Sequence, residues 1–177
     1  MNKVITIFGS SRPRETDDEY QLAYDVGRKL SLAGFTVCNG GFGGIMEASA
    51  RGAKESGGKT IGVTFTIKDR MANPWIDENI HVPALIDRMI KLVELGDAYV
   101  VLKGGTGTLL ELAAVWEFIN KGLLPGKPIV IVGDFWKNVV ETLREELLWE
   151  GLGDCTKFIH SSSSPEECAS FLKQQLI

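Results

Sequence analysis

Three features of the chain predict a doubly wound α/β fold with a mainly parallel sheet flanked by helices in a single domain. Strand-type and helix-type segments alternate from end to end, the pattern of right-handed β-α-β crossovers. Three turns rich in glycine and serine each follow an apolar strand. The strand Ala98-Tyr99-Val100-Val101-Leu102 is apolar on both faces, as a parallel strand covered by helices on both sides must be. With 177 residues, 44% of them hydrophobic and 24% charged, the chain can bury one sizeable core.

The elements follow in order. Val4-Ile5-Thr6-Ile7-Phe8 reads as the first strand and ends in the small-residue turn Gly9-Ser10-Ser11. Thr16 with Glu19 fits a capping box. It opens a helix to about Ala33 whose apolar face carries Tyr20, Ala23, Val26, Gly27 and Leu30, and Gly34 closes it. Phe35 to Cys38 is the second strand, broken by Asn39 and the glycines 40, 41, 43 and 44. A helix spans Ile45 to Glu55 and stops at Gly57-Gly58, and Lys59 to Thr64 is the third strand. Residues 65–80, with charged Lys68-Asp69-Arg70 and turn-like Asn73-Pro74-Trp75, read as a long irregular stretch of the kind that is often functional. Pro83 opens a helix through Leu95.

The central strand from Ala98 comes next, then Gly104-Gly105-Thr106-Gly107-Thr108 and a helix to about Asn120. Pro128 to Val132 is a further strand, followed by a helix over about Trp136 to Trp149 and a short strand at Lys157 to Ile159. Ser164-Pro165-Glu166-Glu167 has the cap, first-position proline and third-position glutamate of a helix start. Counting these strands, an order of 3-2-1-4-5 sets the first beside the fourth at the point of reversal. The three small-residue turns then share the carboxyl edge, where such sheets bind ligands.

The bulk properties narrow the function. A net charge of −4 and a pI near 5.3 disfavour a protein built to bind nucleic-acid backbone. No apolar run is long enough to span a bilayer, and the opening residues lack a signal-peptide layout. Cys38, Cys155 and Cys168 are scattered, with neither metal-ligand nor disulfide spacing, which fits a reducing cytoplasm. No Cys/His/Asp cluster suggests a metal. No dinucleotide fingerprint follows the first strand, and no P-loop lysine is present.

The central turn is the candidate phosphate cradle. Its glycines let backbone approach a ligand closely, and the helix after it offers free N–H groups and a positive dipole end. Glu111 has two readings at this stage. Thr108-Leu109-Leu110-Glu111 fits a capping box; alternatively Glu111 is a functional carboxylate, held ionised by the dipole and suited to act as a base or cation stabiliser. Arg88 falls on the polar side of a helix whose apolar face is Ile86, Met89, Ile90 and Val93, so it reads as solvated. Gly9, Ser10, Ser11, Gly41 and Gly43 line the other two turns as ligand-contact candidates. His81 and His160 stand alone and read as structural.

Gly104-Gly105-Thr106-Gly107-Thr108-Leu109-Leu110-Glu111 resembles the G-G-x-G-T-x-x-E signature of the LONELY GUY family. These are Rossmann-like nucleoside 5′-monophosphate phosphoribohydrolases, often mislabelled lysine decarboxylases. Phe8-Gly9-Ser10-Ser11 and the turn Gly40-Gly41 through Gly44-Ile45-Met46 are similar to the family's first two turns. Arg88 with Asp97, and Lys127-Pro128, match as well. Met89 stands where plant-like members carry lysine, Lys103 where proline is usual, and Leu110 at the first of two glutamates; Glu47 is shared with relatives described only as nucleotide-binding.

The resemblance implies cleavage of the N-glycosidic bond of AMP-like nucleotides to base and ribose 5-phosphate. It implies a catalytic pair, with Glu111 ionised beside the oxocarbenium-like sugar and Arg88 as the positioning cation. Gly104, Gly105, Thr106, Gly107 and Thr108 would hold the phosphate. No cofactor is implied, and pyridoxal phosphate has no supported lysine here. The family pairs as homodimers, to which Leu109, Ala113, Val115, Trp116 and Phe118 contribute either interface or core. The alternative is a non-catalytic nucleotide or cofactor carrier of the same superfamily. Gly40–Val63 is also similar to bacterial DNA-uptake proteins, which the acidic pI and the lack of an aromatic-basic strip disfavour.

Overall fold

The computed structural model describes residues 2–67 and 70–177. Its strands are β1 (Val4–Phe8), β2 (Thr36–Asn39), β3 (Thr60–Phe65), β4 (Glu78–Val82), β5 (Ala98–Val101), β6 (Ile129–Val132) and β7 (Ile159–Ser162). Between and after them run α1 (Asp18–Leu32), α2 (Ile45–Glu55), α3 (Leu85–Leu95), α4 (Thr106–Asn120), α5 (Lys137–Trp149) and α6 (Pro165–Leu176). All pairings are parallel, in the order β4-β3-β2-β1-β5-β6-β7. The reversal falls at β1, which pairs with β2 on one side (Ile5 opposite Val37) and β5 on the other (Thr6 opposite Tyr99).

Each face of the sheet carries its own apolar layer. On one side Tyr20, Val26 and Leu30 of α1, Ala48 of α2 and Leu172 of α6 pack on Ile5, Ile7, Val100 and Val130. On the other, Leu92 and Val93 of α3, Leu112, Val115 and Trp116 of α4, and Val140 of α5 pack on Phe8, Tyr99, Val101 and Ile131. The central strands β1, β2, β5 and β6 are thus buried on both faces, which is why β5 and β6 read as continuous apolar runs.

Three expectations are corrected. The irregular stretch hides a strand, β4, whose sequence Glu78-Asn79-Ile80-His81-Val82 is largely exposed. It is an edge strand, so it needs backbone pairing with β3 but no second apolar face. Asp77 secures its start by accepting from the Thr60 N–H at 3.0 Å. Helix α3 begins at Leu85, not Pro83. The Thr16–Glu19 capping box does not form: α1 starts at Asp18, and the Glu19 carboxylate instead pairs with Lys103 at 2.5 Å. Lys68 and Asp69 of the charged run lie outside the described residues. At the other end of the chain, the Ser164 hydroxyl accepts from the Glu167 N–H at 3.2 Å and caps α6 as expected.

Candidate functional site

The ends of β1, β2, β3 and β5 meet at a cleft of about 410 Å³ over the reversal point. Three turns build it. After β1, the Ser10 N–H donates to the Lys103 carbonyl (3.1 Å) and the Ser10 carbonyl accepts from the Ile45 N–H (2.9 Å). That turn therefore ties the start of α2 to the turn after β5. After β2, buried Asn39 organises the second turn: its Nδ2 donates to the Met46 carbonyl (2.8 Å) and its Oδ1 accepts from the Gly41 N–H (2.8 Å). Asn73 donates its own N–H to the Gly41 carbonyl (2.8 Å) and its Nδ2 to that of Phe42 (2.9 Å), pinning the irregular stretch across this turn.

After β5, Gly105 is the N-cap of α4, and the first helical bond runs from the Leu109 N–H to the Gly105 carbonyl (3.0 Å). The amides before Leu109 are left without helical acceptors. A Cβ added at Gly105 or Gly107 would meet nothing within 4 Å, so bare backbone faces open space there. Thr108 is buried and packs over Gly104, whose missing side chain leaves room for the Thr108 hydroxyl. This is the geometry of an anion cradle: free amides, a dipole end and no side chain in the way.

Arg88 is the main surprise. It is 7% exposed, although its helix pattern puts it among polar residues. Its Nε donates to the Val63 carbonyl within β3 (2.8 Å), and its guanidinium carbon lies 5.6 Å from the Phe42 ring centre and 5.8 Å from that of Phe65. Nη2 faces the Met46 sulfur at 3.4 Å. A Cβ on Gly40 would fall on top of Nη2, so that glycine is the slot through which the guanidinium enters the cleft. Meanwhile Ile86 (53% exposed) and Ile90 (39%), expected on the inner face of α3, point outward. The helix is rotated from the expected wheel because its packing partners lie at the sheet's carboxyl edge as well as beneath it.

Arg88 Nη1 lies 3.6 Å from Glu111 Oε1, and both side chains are nearly buried, 9% and 14% exposed. No capping hydrogen bond involves Glu111 among the described residues; α4 starts at Thr106, earlier than the capping box requires. The expectation that Glu111 is held ionised by the dipole is therefore overturned. Glu111 lies beyond the first turn, and burial pushes its carboxyl up to about 7, with the Arg88 charge opposing that rise. Burial also presses Arg88 downward, countered by Glu111, yet a guanidinium stays charged near neutrality. At that pH a carboxyl poised between its two forms can accept or donate a proton.

The cleft gathers Gly9, Ser10, Ser11, Arg88, Gly105, Thr106, Gly107, Thr108 and Glu111 along one wall system. Gly41, Gly43 and Gly104 do not line it. Gly41 serves the turn, with φ of +73° and a carbonyl shared with Asn73. Arg12, Phe42, Met46, Phe65 and Arg70 also line the cleft, although none of them is among the candidate site residues read from the chain. The signal for the aromatic pair was weak, since Phe42 and Phe65 bracket the cleft only once Arg88 lies between them. His81 and His160 sit elsewhere: His81 contacts Thr64 and Thr66, and His160 stacks on Phe171. Among the described residues no group of three His, Cys, Asp or Glu side chains has metal-holding geometry, and no helix is long and apolar enough to cross a membrane.

The model of the SLOG cluster4 family matches residues 2–156. An uncharacterized protein of Archaeoglobus fulgidus is 36% identical over 120 residues, 67% of this chain and 79% of that one. A cytokinin riboside 5′-monophosphate phosphoribohydrolase of Rhodococcoides fascians is 32% identical over 136 residues, 75% of this chain and 68% of that one. Among solved structures, the molybdenum cofactor binding protein of the phototrophic bacterium Rippkaea orientalis superposes with a TM-score of 0.77 at 24% identity. It covers 100% of this chain and 99% of that one, and the likeness is one of fold.

Proposed function

The chain belongs to the SLOG cluster4 family, a LONELY GUY-like group, and from that premise we propose that it is a nucleoside 5′-monophosphate phosphoribohydrolase. The observation that carries the reading is the buried Arg88–Glu111 pair, 3.6 Å apart, beside the open amides of Gly105 to Thr108. A plain structural ion pair has no need of an adjoining anion cradle or of an open cleft above it.

In this reading the 5′-phosphate rests on the α4 amides and the Thr108 hydroxyl, which puts the ribose over Glu111. The bond from C1′ to the base nitrogen breaks with its electrons leaving on the base, and positive charge develops at C1′ and the ring oxygen. Ionised Glu111 stabilises that cation and accepts a proton from the water that bonds to C1′. The protonated carboxyl then passes that proton to the base nitrogen that took the bonding electrons, so the hydroxyl of one water ends on C1′ and its proton on the base. Arg88, anchored on the Val63 carbonyl, positions the carboxylate, and its remaining donors face the ribose. Phe42, Phe65 and Met46 supply the apolar wall for the base.

The protein acts as a homodimer in this reading. Ile86, Ile90, Leu109 and Leu110 form outward apolar side chains on α3 and α4 next to the cleft. Val115 and Trp116, by contrast, are buried in the monomer core. The work is cytoplasmic, on small nucleotides, with no nucleic acid as ligand. The test is a split between binding and turnover. Arg88→Ala and Glu111→Gln should each lose base release from AMP by at least about 100-fold, while Glu111→Gln still binds AMP. Unchanged turnover in either variant removes the pair from catalysis. A wild-type protein that retains nucleotide without cleaving it makes this a carrier instead.

A further inference from the structure

The charge of the cleft is opposite to that of the chain. Three arginines (Arg12, Arg70 and Arg88) and one carboxylate (Glu111) line it, in a protein of net charge −4. Arg88 is committed inward to Val63 and Glu111. The cradle meets a 5′-phosphate with backbone amides and a hydroxyl, which uses neither rim arginine. Arg12 and Arg70 are thus surplus to a monophosphate.

Both are placed by the fold. The Arg12 N–H donates to the Ser10 hydroxyl at 3.1 Å, directly after the first turn. The Arg70 N–H donates to the Ile67 carbonyl at 3.1 Å, in the stretch that Asn73 pins across the second turn. They flank the cleft from two sides: the Arg12 rim continues toward Lys103, the Arg70 rim toward Gly43 and Met71. Among the described residues neither pairs with a carboxylate, whereas Arg28, Arg51 and Arg144 each do. Arg14 also lacks a carboxylate partner there but does not line the cleft. Exposed guanidinium forks at the mouth of a cleft suit phosphate oxygens and concentrate multiply charged anions there.

We infer that the preferred ligand of this cleft is a nucleotide with a second phosphate group beyond the 5′-phosphate, held by Arg12 and Arg70. The inference rests on the nucleotide reading above, because the cradle must hold the first phosphate. The second phosphate sits either on the first, as in a diphosphate, or on the ribose, as in a 3′,5′-bisphosphate; the chemistry at the arginines is the same.

Calorimetric titration of the Glu111→Gln protein, in which turnover is blocked, compares AMP, ADP and adenosine 3′,5′-bisphosphate. The expected result is that ADP or the bisphosphate binds at least about tenfold more tightly than AMP. That ratio should fall toward one when Arg12→Ala and Arg70→Ala are added. It should also shrink at high ionic strength with both arginines present, a measurement that needs no further variant. If AMP binds and neither doubly phosphorylated ligand binds more tightly, the inference is overturned and the nucleotide reading stands. A ratio that survives removal of both arginines overturns their role. If none of the three ligands binds, the nucleotide reading itself fails.

Discussion

Replacing Glu111 with glutamine should make the protein more stable above neutral pH while it loses activity. The carboxyl is raised from an ordinary 4.5 to about 7 because burial penalises its charged form more than Arg88 rewards it. The fold thus favours the protonated form. That contribution is complete below about 4.5 and fades as the pH climbs to about 7, where the native protein must carry a buried charge. A rise of this size corresponds to roughly 3 kcal/mol. Glutamine keeps the shape and neutrality of the protonated acid. Glu111→Gln should therefore exceed the wild type by about 3 kcal/mol at pH 8.5 but by less than about 1 kcal/mol at pH 5. Urea unfolding followed by tryptophan fluorescence at both pH values reads the difference directly. A variant equal to or weaker than wild type at pH 8.5 refutes the reasoning. It would mean that pairing with Arg88 outweighs the cost of burying the carboxylate.

Three further outcomes follow from the same geometry. Gly40→Ala places a methyl where Arg88 Nη2 lies; the displaced guanidinium should cost about 100-fold in turnover, with a stability loss of about 1–3 kcal/mol in urea titrations. The pH profile of kcat on AMP should rise through about 7 and level off above it, as Glu111 ionises, and Arg88→Ala should move the inflection upward because the arginine charge holds the carboxyl down. Charging the outward face of α3 with Ile86→Asp and Ile90→Asp should convert the proposed homodimer to a monomer in sedimentation velocity, with the fold retained by circular dichroism; a wild type that sediments as a monomer removes the dimer from the proposal.

Much of the architecture could be read from the chain because the signals were local. Apolar runs marked β1, β5 and β6, small-residue turns marked the carboxyl ends of the strands, and the supposed reversal of order beside the first strand matches the sheet. What escaped was whatever depended on a distant partner. β4 carries only a short one-sided apolar alternation, Ile80 and Val82, because it is an edge, so its identity lies in pairing with β3 and in the Asp77–Thr60 contacts. Arg88 looks solvated on its own helix; its burial is explained by Gly40, 48 positions earlier, together with the Val63 carbonyl. Glu111 fits a capping box until the true start of α4 is known, and its raised carboxyl comes from the walls around it rather than from the helix that bears it. The Gly40–Gly44 turn was legible as a turn at the cleft edge, but only the fold separates Gly40, which admits the arginine, from Gly41, which shapes the turn.

The most direct test of the account is the product of the unmodified protein acting on AMP. Chromatography with mass detection should find adenine and ribose 5-phosphate in equal amounts, because the proposed reading sets the bond at C1′ over Glu111. Adenosine with free phosphate, or AMP recovered intact while bound to the protein, would contradict it.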